Sequence, residues 1–327
     1  MRTPTRSAND GAGEGWKRAD LHLHTSFSGW RSLSLIDAQD CYVSPEAGFA
    51  AARARGMDFV CFTDHNTIDG ALDFLSRHPE EEERVIVGEE IEARFPDSSQ
   101  WIHINVLDVD EALHADLARL RGNCFELIAE LRRRERLFVL NHPFQSFRSI
   151  ATARRRLAEV LPLFPAVEVC NGTSPRSHVH VLGAMLRHDE HRGTVHVGGS
   201  DAHTRAGIAS VHTTAPASTK AEFLDCLRAG ACAIGGRPRG WAALVGDVYV
   251  VVGQYYARLY ARPVPTSARR LKNLVCATAL LPATLAGVPA VVTTLQVARQ
   301  EWIARFGPWA RRPATRTSLP ALTEVDR

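Results

Sequence analysis

The chain lacks any Cys-x-x-Cys pair among its seven cysteines, at positions 41, 61, 124, 170, 226, 232 and 276. The number is odd and most sit inside apolar runs, which excludes a disulfide framework and points to a reducing, cytoplasmic compartment. Apolar residues are scarce before position 16, so residues 1–16 read as a disordered leader and not as a secretion signal. Net charge is small, +3 over 327 residues, and no basic stripe interleaved with aromatics runs along the body. That excludes a large nucleic-acid surface and leaves a terminal phosphate as the grip for any oligonucleotide. No internal repeat is visible.

What is present is ordinary for a soluble globular protein: 45% hydrophobic and 23% charged residues. The length accommodates one large α/β domain with an appendage, or two domains. Charge is unevenly spread. Residues 241–327 hold eleven Arg or Lys against four Asp or Glu, while the first 240 hold 28 basic against 32 acidic groups. A basic tail thus follows a mildly acidic body.

From Lys17 onward, short apolar runs alternate with helical stretches. Strands are expected at Ala19–His22, Asp58–Thr63, Val85–Ile91, Ile102–Leu107, Leu137–Leu140, Ala166–Val169 and Val195–Gly198. Helices are expected near Pro45–Arg55, Asp69–Arg77, Glu111–Glu135, Ala151–Leu161, Val179–Arg187 and Lys220–Ala229. Pro45 after Ser44 is a helix start and Gly56 a stop. This alternation predicts parallel pairing, with functional groups collected at the carboxyl ends of the strands. About seven such units favour a barrel over an open sheet.

The strand ends carry the chemistry. Asp20-Leu21-His22-Leu23-His24 puts two imidazoles on one face of an extended segment, half a metal site. Further strands run into Thr63-Asp64-His65, Gly88-Glu89-Glu90, His103, Asn141-His142-Pro143, Glu168 with Asn171-Gly172, and Gly199-Ser200-Asp201-Ala202-His203. Nitrogen and carboxylate donors without thiolate suit Zn, Mn or Fe, and this many of them suit more than one ion.

Taken in order over residues 18–236, these stretches resemble the PHP (polymerase and histidinol phosphatase) family of metal-dependent phosphoesterases. The resemblance implies a distorted (β/α)7 barrel, with residues 17–240 as that domain; composition marks 241–310 as a helical, apolar and basic appendage and 311–327 as a disordered tail. It implies two or three divalent metal ions. His22, His24, Glu90 and Asp201 would hold the first. Glu90 would bridge to a second that also takes His103 and His142, and His65 and His203 would belong to a third. The family's Gly-x-Glu spacing selects Glu90 over Glu89, which is left a structural role.

The resemblance breaks in one loop. The family places an aspartate or a further histidine shortly after its His-x-His, whereas this chain reads His24-Thr25-Ser26-Phe27-Ser28-Gly29-Trp30. Asp64 or Asp37 could substitute; otherwise the third ion is weak, exchangeable or absent. Asp20 and Asp64, beside ligand histidines, are expected to orient them. His178 and His180 open a helix, where alternate residues do not share a face, and are not expected as ligands. His188 and His191 read as a solvated helix end, and His196 as a core histidine.

The implied activity is hydrolysis of a phosphate ester, in a nucleotide, an oligonucleotide 5′ end or a small phosphomonoester, by a metal-bridging hydroxide. Asp201 or His203 is the candidate for proton transfer, and Arg148 and Arg176 are the candidate phosphate clamps. Two alternatives stay open: a carboxyl or carbamate ester hydrolase on the same site, and a non-catalytic, membrane-tethered metal-binding module. The second draws on Leu274–Val297, an uncharged stretch flanked by Arg269, Arg270, Lys272 and Arg299. Its length could cross a bilayer, but Pro282, Gly287 and Pro289 argue for a helical pair packed on the barrel or on a partner.

Overall fold

The computed structural model describes residues 15–32, 36–187, 193–261, 267–307 and 309. Most of the expected leader, the tail from 311, and His188 and His191 lie outside the described residues.

Among the described residues there are eleven strands. They are β1 (Trp16–Leu23), β2 (Trp30–Ser32), β3 (Asp37–Gln39), β4 (Phe59–Phe62), β5 (Val85–Arg94), β6 (Trp101–Leu107), β7 (Phe138–Leu140), β8 (Ala166–Asn171), β9 (Val195–Gly199), β10 (Val211–Pro216) and β11 (Ala233–Gly236). β2 and β3 form a separate ribbon, and the others make one sheet in the order β11-β10-β1-β4-β5-β6-β7-β8-β9. The sheet curls until β9 meets β1. There Asp201 N–H donates to His22 O at 2.8 Å and His24 N–H to Ala202 O at 3.2 Å. The result is a nearly closed, seven-strand barrel with β10 and β11 continuing past the seam.

Pairing is not parallel throughout, contrary to the expectation from alternation. β5 and β6 are antiparallel, with Glu90 opposite Asn105 and Glu92 opposite His103. Only residues 95–100 join them, too few for the dozen or more that a parallel crossover needs. β6 therefore runs against its neighbours on both sides. His103, near its amino-terminal end, still reaches the mouth used by the carboxyl ends of the other strands.

The helices of the barrel are α1 (Pro45–Ala54), α2 (Asp69–Arg77), α3 (Glu111–Leu120), α4 (Cys124–Arg133), α5 (Ile150–Val160), α6 (Arg176–Met185) and α7 (Lys220–Arg228). The single helix expected over Glu111–Glu135 is two. Asn123 restarts the chain by accepting a hydrogen bond from Phe125 N–H, an N-cap that the apolar pattern passes over. Strands β10 and β11 were also not expected, because histidine and threonine alternate with the apolar residues of Val211–Pro216 and hide it.

Among the described residues three helices follow the barrel: α8 (Trp241–Tyr260), α9 (Ala268–Leu285) and α10 (Val288–Phe306). The uncharged stretch Leu274–Val297 does not form one helix. It breaks at Gly287, whose φ of 99° suits glycine, and α9 and α10 meet at 74°. Among the described residues no single helix is long and apolar enough to cross a membrane. The appendage packs on the barrel. Ile303 and Ala304 join the main core with Phe144, Phe147 and Leu182, Ser177 Oγ–H donates to Glu301 Oε2 at 2.7 Å, and Asp37 N–H donates to Asn273 Oδ1 at 2.9 Å.

Candidate metal centre

Glu90 is the hub of the barrel mouth. It is fully buried on β5, and five imidazoles reach its carboxylate. His103 Nδ1 and His142 Nε2 each lie 3.0 Å from Oε1, with His22 Nε2 at 3.3 Å. His65 Nδ1 lies 3.1 Å and His24 Nε2 3.4 Å from Oε2. Asn141 Nδ2–H donates to Oε1 at 2.9 Å.

Asp201 supplies the second carboxylate. Its Oδ1 is 3.3 Å from His24 Nε2 and 3.5 Å from His22 Nε2, and its Oδ2 accepts from Thr173 Oγ1–H at 2.8 Å and Asn171 Nδ2–H at 3.2 Å. The His203 ring stacks on His24 with centroids 4.3 Å apart, and its Nδ1 lies 3.1 Å from Asp201 O. All eight residues expected as metal ligands thus meet in one cluster.

The backbone is bent to bring them there. His142 and Asp201 have φ of 25° and 51°, a region that costs a non-glycine residue about 1 kcal/mol or more. Each is held by its own N–H, His142 donating to Glu168 Oε2 at 3.0 Å and Asp201 to His22 O. Gly199 is required for a different reason. A Cβ there would collide with His22 Cβ across the seam.

Charge explains why the cluster calls for cations. His22 Nε2 and His24 Nε2 lie 3.2 Å apart and both face the carboxylates, an arrangement of lone pairs and negative charge that protons or metal ions satisfy. Burial opposes charging Glu90, yet His103, His22 and His65 hold its carboxyl well below the usual range. Burial likewise opposes charging Asp201, which His22, His24, His142 and His203 hold low. Burial works against a charged His22, but Glu90, Asp201 and Glu168 outweigh it and raise its pKa well above the usual value. His24, buried beside His203, is shifted down. Such a set of nitrogen and oxygen donors suits borderline or hard divalent ions. Four overlapping groups have ligand atoms mutually within 4.8 Å: His22, His24 and Glu90; His22, His142 and Glu168; His65, Glu90 and His103; and His24, His65 and His203.

Three assignments change. The loop after His24 does not leave the third group without a carboxylate. Asp40, beyond β3, brings Oδ2 to 3.5 Å from His65 Nε2. The ten-residue detour after Trp30 concealed it, and the signal was an aspartate shortly before the Ser44-Pro45 helix start. Neither earlier substitute takes that place: Asp37 pairs with Arg269 at 2.7 Å, and Asp64 accepts from Thr25 N–H and Oγ1–H. Asp20 and Asp64 hold backbone amides and the Thr25 hydroxyl and not imidazoles, Asp20 accepting from Ser200 N–H at 2.9 Å and Ala209 N–H at 2.8 Å. Burial raises the Asp64 carboxyl to about 7. The imidazole-orienting role falls to Glu168, whose Oε1 is 2.9 Å from His22 Nδ1.

Glu89 faces away and meets His114 Nδ1 at 2.9 Å. His178 is buried with Nε2 3.3 Å from Gln300 O, and His180 is exposed on the same helix. The cluster floors a cavity of about 650 Å³. Arg148 lines it, while Arg176, the exposed first residue of α6, does not. Arg239 and Arg299 line it as well, and neither is expected at the site from the sequence, where Arg299 reads only as a basic flank of the uncharged stretch.

Comparison with known proteins agrees with this geometry. Residues 20–121 match the family model described as the PHP domain, and residues 188–232 match one described as PHP-associated. An uncharacterized protein of Methanocaldococcus jannaschii is 34% identical over 74 residues, which is 23% of this chain and 43% of that one. The match therefore spans less than half of the relative's length. A two-domain protein from Bacteroides vulgatus, described as containing a predicted PHP-like metal-dependent phosphoesterase, superposes with a TM-score of 0.50 at 17% identity. The superposition covers 72% of this chain and 69% of that one. PsfC from Pseudomonas syringae gives 0.47 at 18% identity over 75% of this chain and 99% of its own. The matched segments contain His22, His24, His65, Glu90, His103, Asp201 and His203, so residues 20–121 carry the match to the PHP domain and most of the cluster lies inside the two matched segments.

Proposed function

We propose that the protein hydrolyses phosphate esters at the Glu90–Asp201 centre. The class, a metal-dependent hydrolase, is supported by the match of residues 20–121 to the PHP domain. The phosphoester reading is carried by one juxtaposition: a buried, multi-carboxylate imidazole cluster opens into a cavity that Arg148, Arg239 and Arg299 also line. Arginine suits phosphoryl oxygens because its guanidinium forms paired, charge-assisted hydrogen bonds.

His22, His24, Glu90 and Asp201 would hold one divalent ion, and Glu90, His103 and His142 a second. His65, His203 and Asp40 would hold a third. Bound there, such ions lower the pKa of water towards neutrality and neutralise charge on the phosphoryl oxygens. Proton delivery to the leaving oxygen falls to His203 in the two-metal state. Its side chain is partly exposed at the cavity, whereas Asp201, held low by four histidines, has no proton to give at neutral pH. Glu168 holds the His22 ring, and Asn171 and Thr173 hold the Asp201 carboxylate.

The reading includes membrane contact through α9 and α10 in a cytoplasmic protein. Leu285, Val275 and Leu295 are exposed by 78%, 60% and 64%, and Arg269, Arg270 and Lys272 stand at the start of α9. Apolar side chains beside lysine and arginine suit an anionic bilayer surface.

The test is a panel of phosphomonoesters, nucleoside bisphosphates, 5′-phosphorylated RNA, and carboxyl and carbamate esters, given to the manganese- or zinc-loaded chain. Phosphate release that Asp201→Ala abolishes is expected. Turnover of carboxyl or carbamate esters alone would overturn the substrate class. A metal-loaded protein silent on every ester would favour the binding module.

A further inference from the structure

The cavity above the metal centre has two unlike walls. The barrel side is polar and includes His65, His103, His142, Asp201, Gln145 and Thr173. The opposite side comes from the appendage. Leu244, Val248, Val251 and Val252 fall at helical spacing along one stripe of α8 and all line the cavity, and Val297 of α10 joins them. An amphipathic helix normally buries such a stripe against protein. Here the aliphatic side chains border a space of about 650 Å³ that also touches the ligand cluster.

Arg299 lies on α10 at the same cavity. Among the described residues its guanidinium has no hydrogen-bond or ion-pair partner, and its Nε is buried. Arg299 as a whole is partly buried, and a buried Nε–H without an acceptor is a donor that an anionic ligand group in the cavity satisfies. By contrast Arg239 is already paired with Asp247 of α8, and Arg148 is exposed.

We propose that the substrate is a phosphate ester of an apolar, aliphatic alcohol, its phosphate between the metal centre and Arg299 and its hydrocarbon chain along the α8 stripe. This rests on the phosphoester reading and names the substrate class of that site. The helices that form the apolar wall belong to the appendage whose outer face carries exposed aliphatic residues, so one element both selects and meets apolar partners. The α8 stripe itself offers a base neither an aromatic face nor a hydrogen-bonding group, whereas Trp101 on the barrel side and Asp247 on α8 also line the cavity, so nucleotides enter the test as the competing class.

The experiment measures hydrolysis of n-alkyl phosphates from ethyl to decyl, with nucleoside 5′-phosphates alongside, by the manganese-loaded full chain. KM is expected to fall about threefold to fourfold per added methylene until the cavity is filled. Val248→Asn and Val252→Asn are expected to shrink the octyl-to-ethyl ratio of kcat/KM, and Arg299→Ala to raise KM across the series without changing its slope. Turnover with no dependence on chain length, or a preference for nucleotides over octyl phosphate, would overturn the inference and leave the phosphoesterase reading standing. Absence of turnover for every phosphate ester would overturn the phosphoesterase reading, and this one with it.

Discussion

Glu168 Oε1 lies 2.9 Å from Nδ1 of His22, and this contact decides which imidazole nitrogen faces the metal centre. With Nδ1 committed to the carboxylate, Nε2 is left towards Glu90 and Asp201. Partners of this kind fix the ring and raise its basicity. Glu168→Ala is expected to weaken divalent-metal affinity by about tenfold to a hundredfold. Titration of the apoprotein with Mn or Zn checks this, and unchanged affinity would remove Glu168 from the role.

Asp201→Asn keeps the shape of the side chain and removes its charge. Phosphate release is expected to fall by about a thousandfold, as loss of several kcal/mol of metal-dependent stabilisation implies. Rates at saturating metal, with circular dichroism to show the fold intact, provide the measurement.

Gly199→Ala drives a methyl group into the seam between β9 and β1, where His22 and Glu168 are the neighbours. Overpacking of this kind costs about 1–3 kcal/mol. The midpoint of urea unfolding is expected to drop, and metal affinity with it, because His22 must shift to make room. A variant with wild-type stability would show that the seam gives way freely.

His178 makes the docking of α10 on α6 sensitive to acid. Burial lowers its pKa from the ordinary 6.5 to about 4, and its Nε2 lies 3.3 Å from Gln300 O. The unfolded chain takes up the proton near pH 6.5 and the folded chain only near pH 4. Stability is therefore fully present above 6.5 and falls as pH drops from 6.5 towards 4. The loss at pH 5 is about 2 kcal/mol. His178→Gln, which can still donate to Gln300 O, is expected to lose that much less between pH 7 and pH 5 in urea unfolding.

The sequence made much of this legible. Strand ends rich in His, Asp and Glu mark where side chains gather, because every second residue of a strand faces the same way, and all eight expected ligands meet. Asp40 escaped because the ribbon of β2 and β3 separates it from His24 in sequence, and spacing rules fail across an insertion. The antiparallel β6 escaped because apolar alternation carries no strand direction, although the short link after Arg94 did. The apolar wall of the cavity escaped for a further reason. A valine stripe on α8 reads as core packing until the fold leaves it bordering a cavity.

Metal content tests the central claim most directly. After incubation with Mn, Zn or Fe and gel filtration, elemental analysis of the wild-type chain should give at least two ions per molecule, and the folded Glu90→Gln variant should retain far fewer. A wild-type chain that keeps none, or a Glu90→Gln chain that keeps as many, would contradict the account.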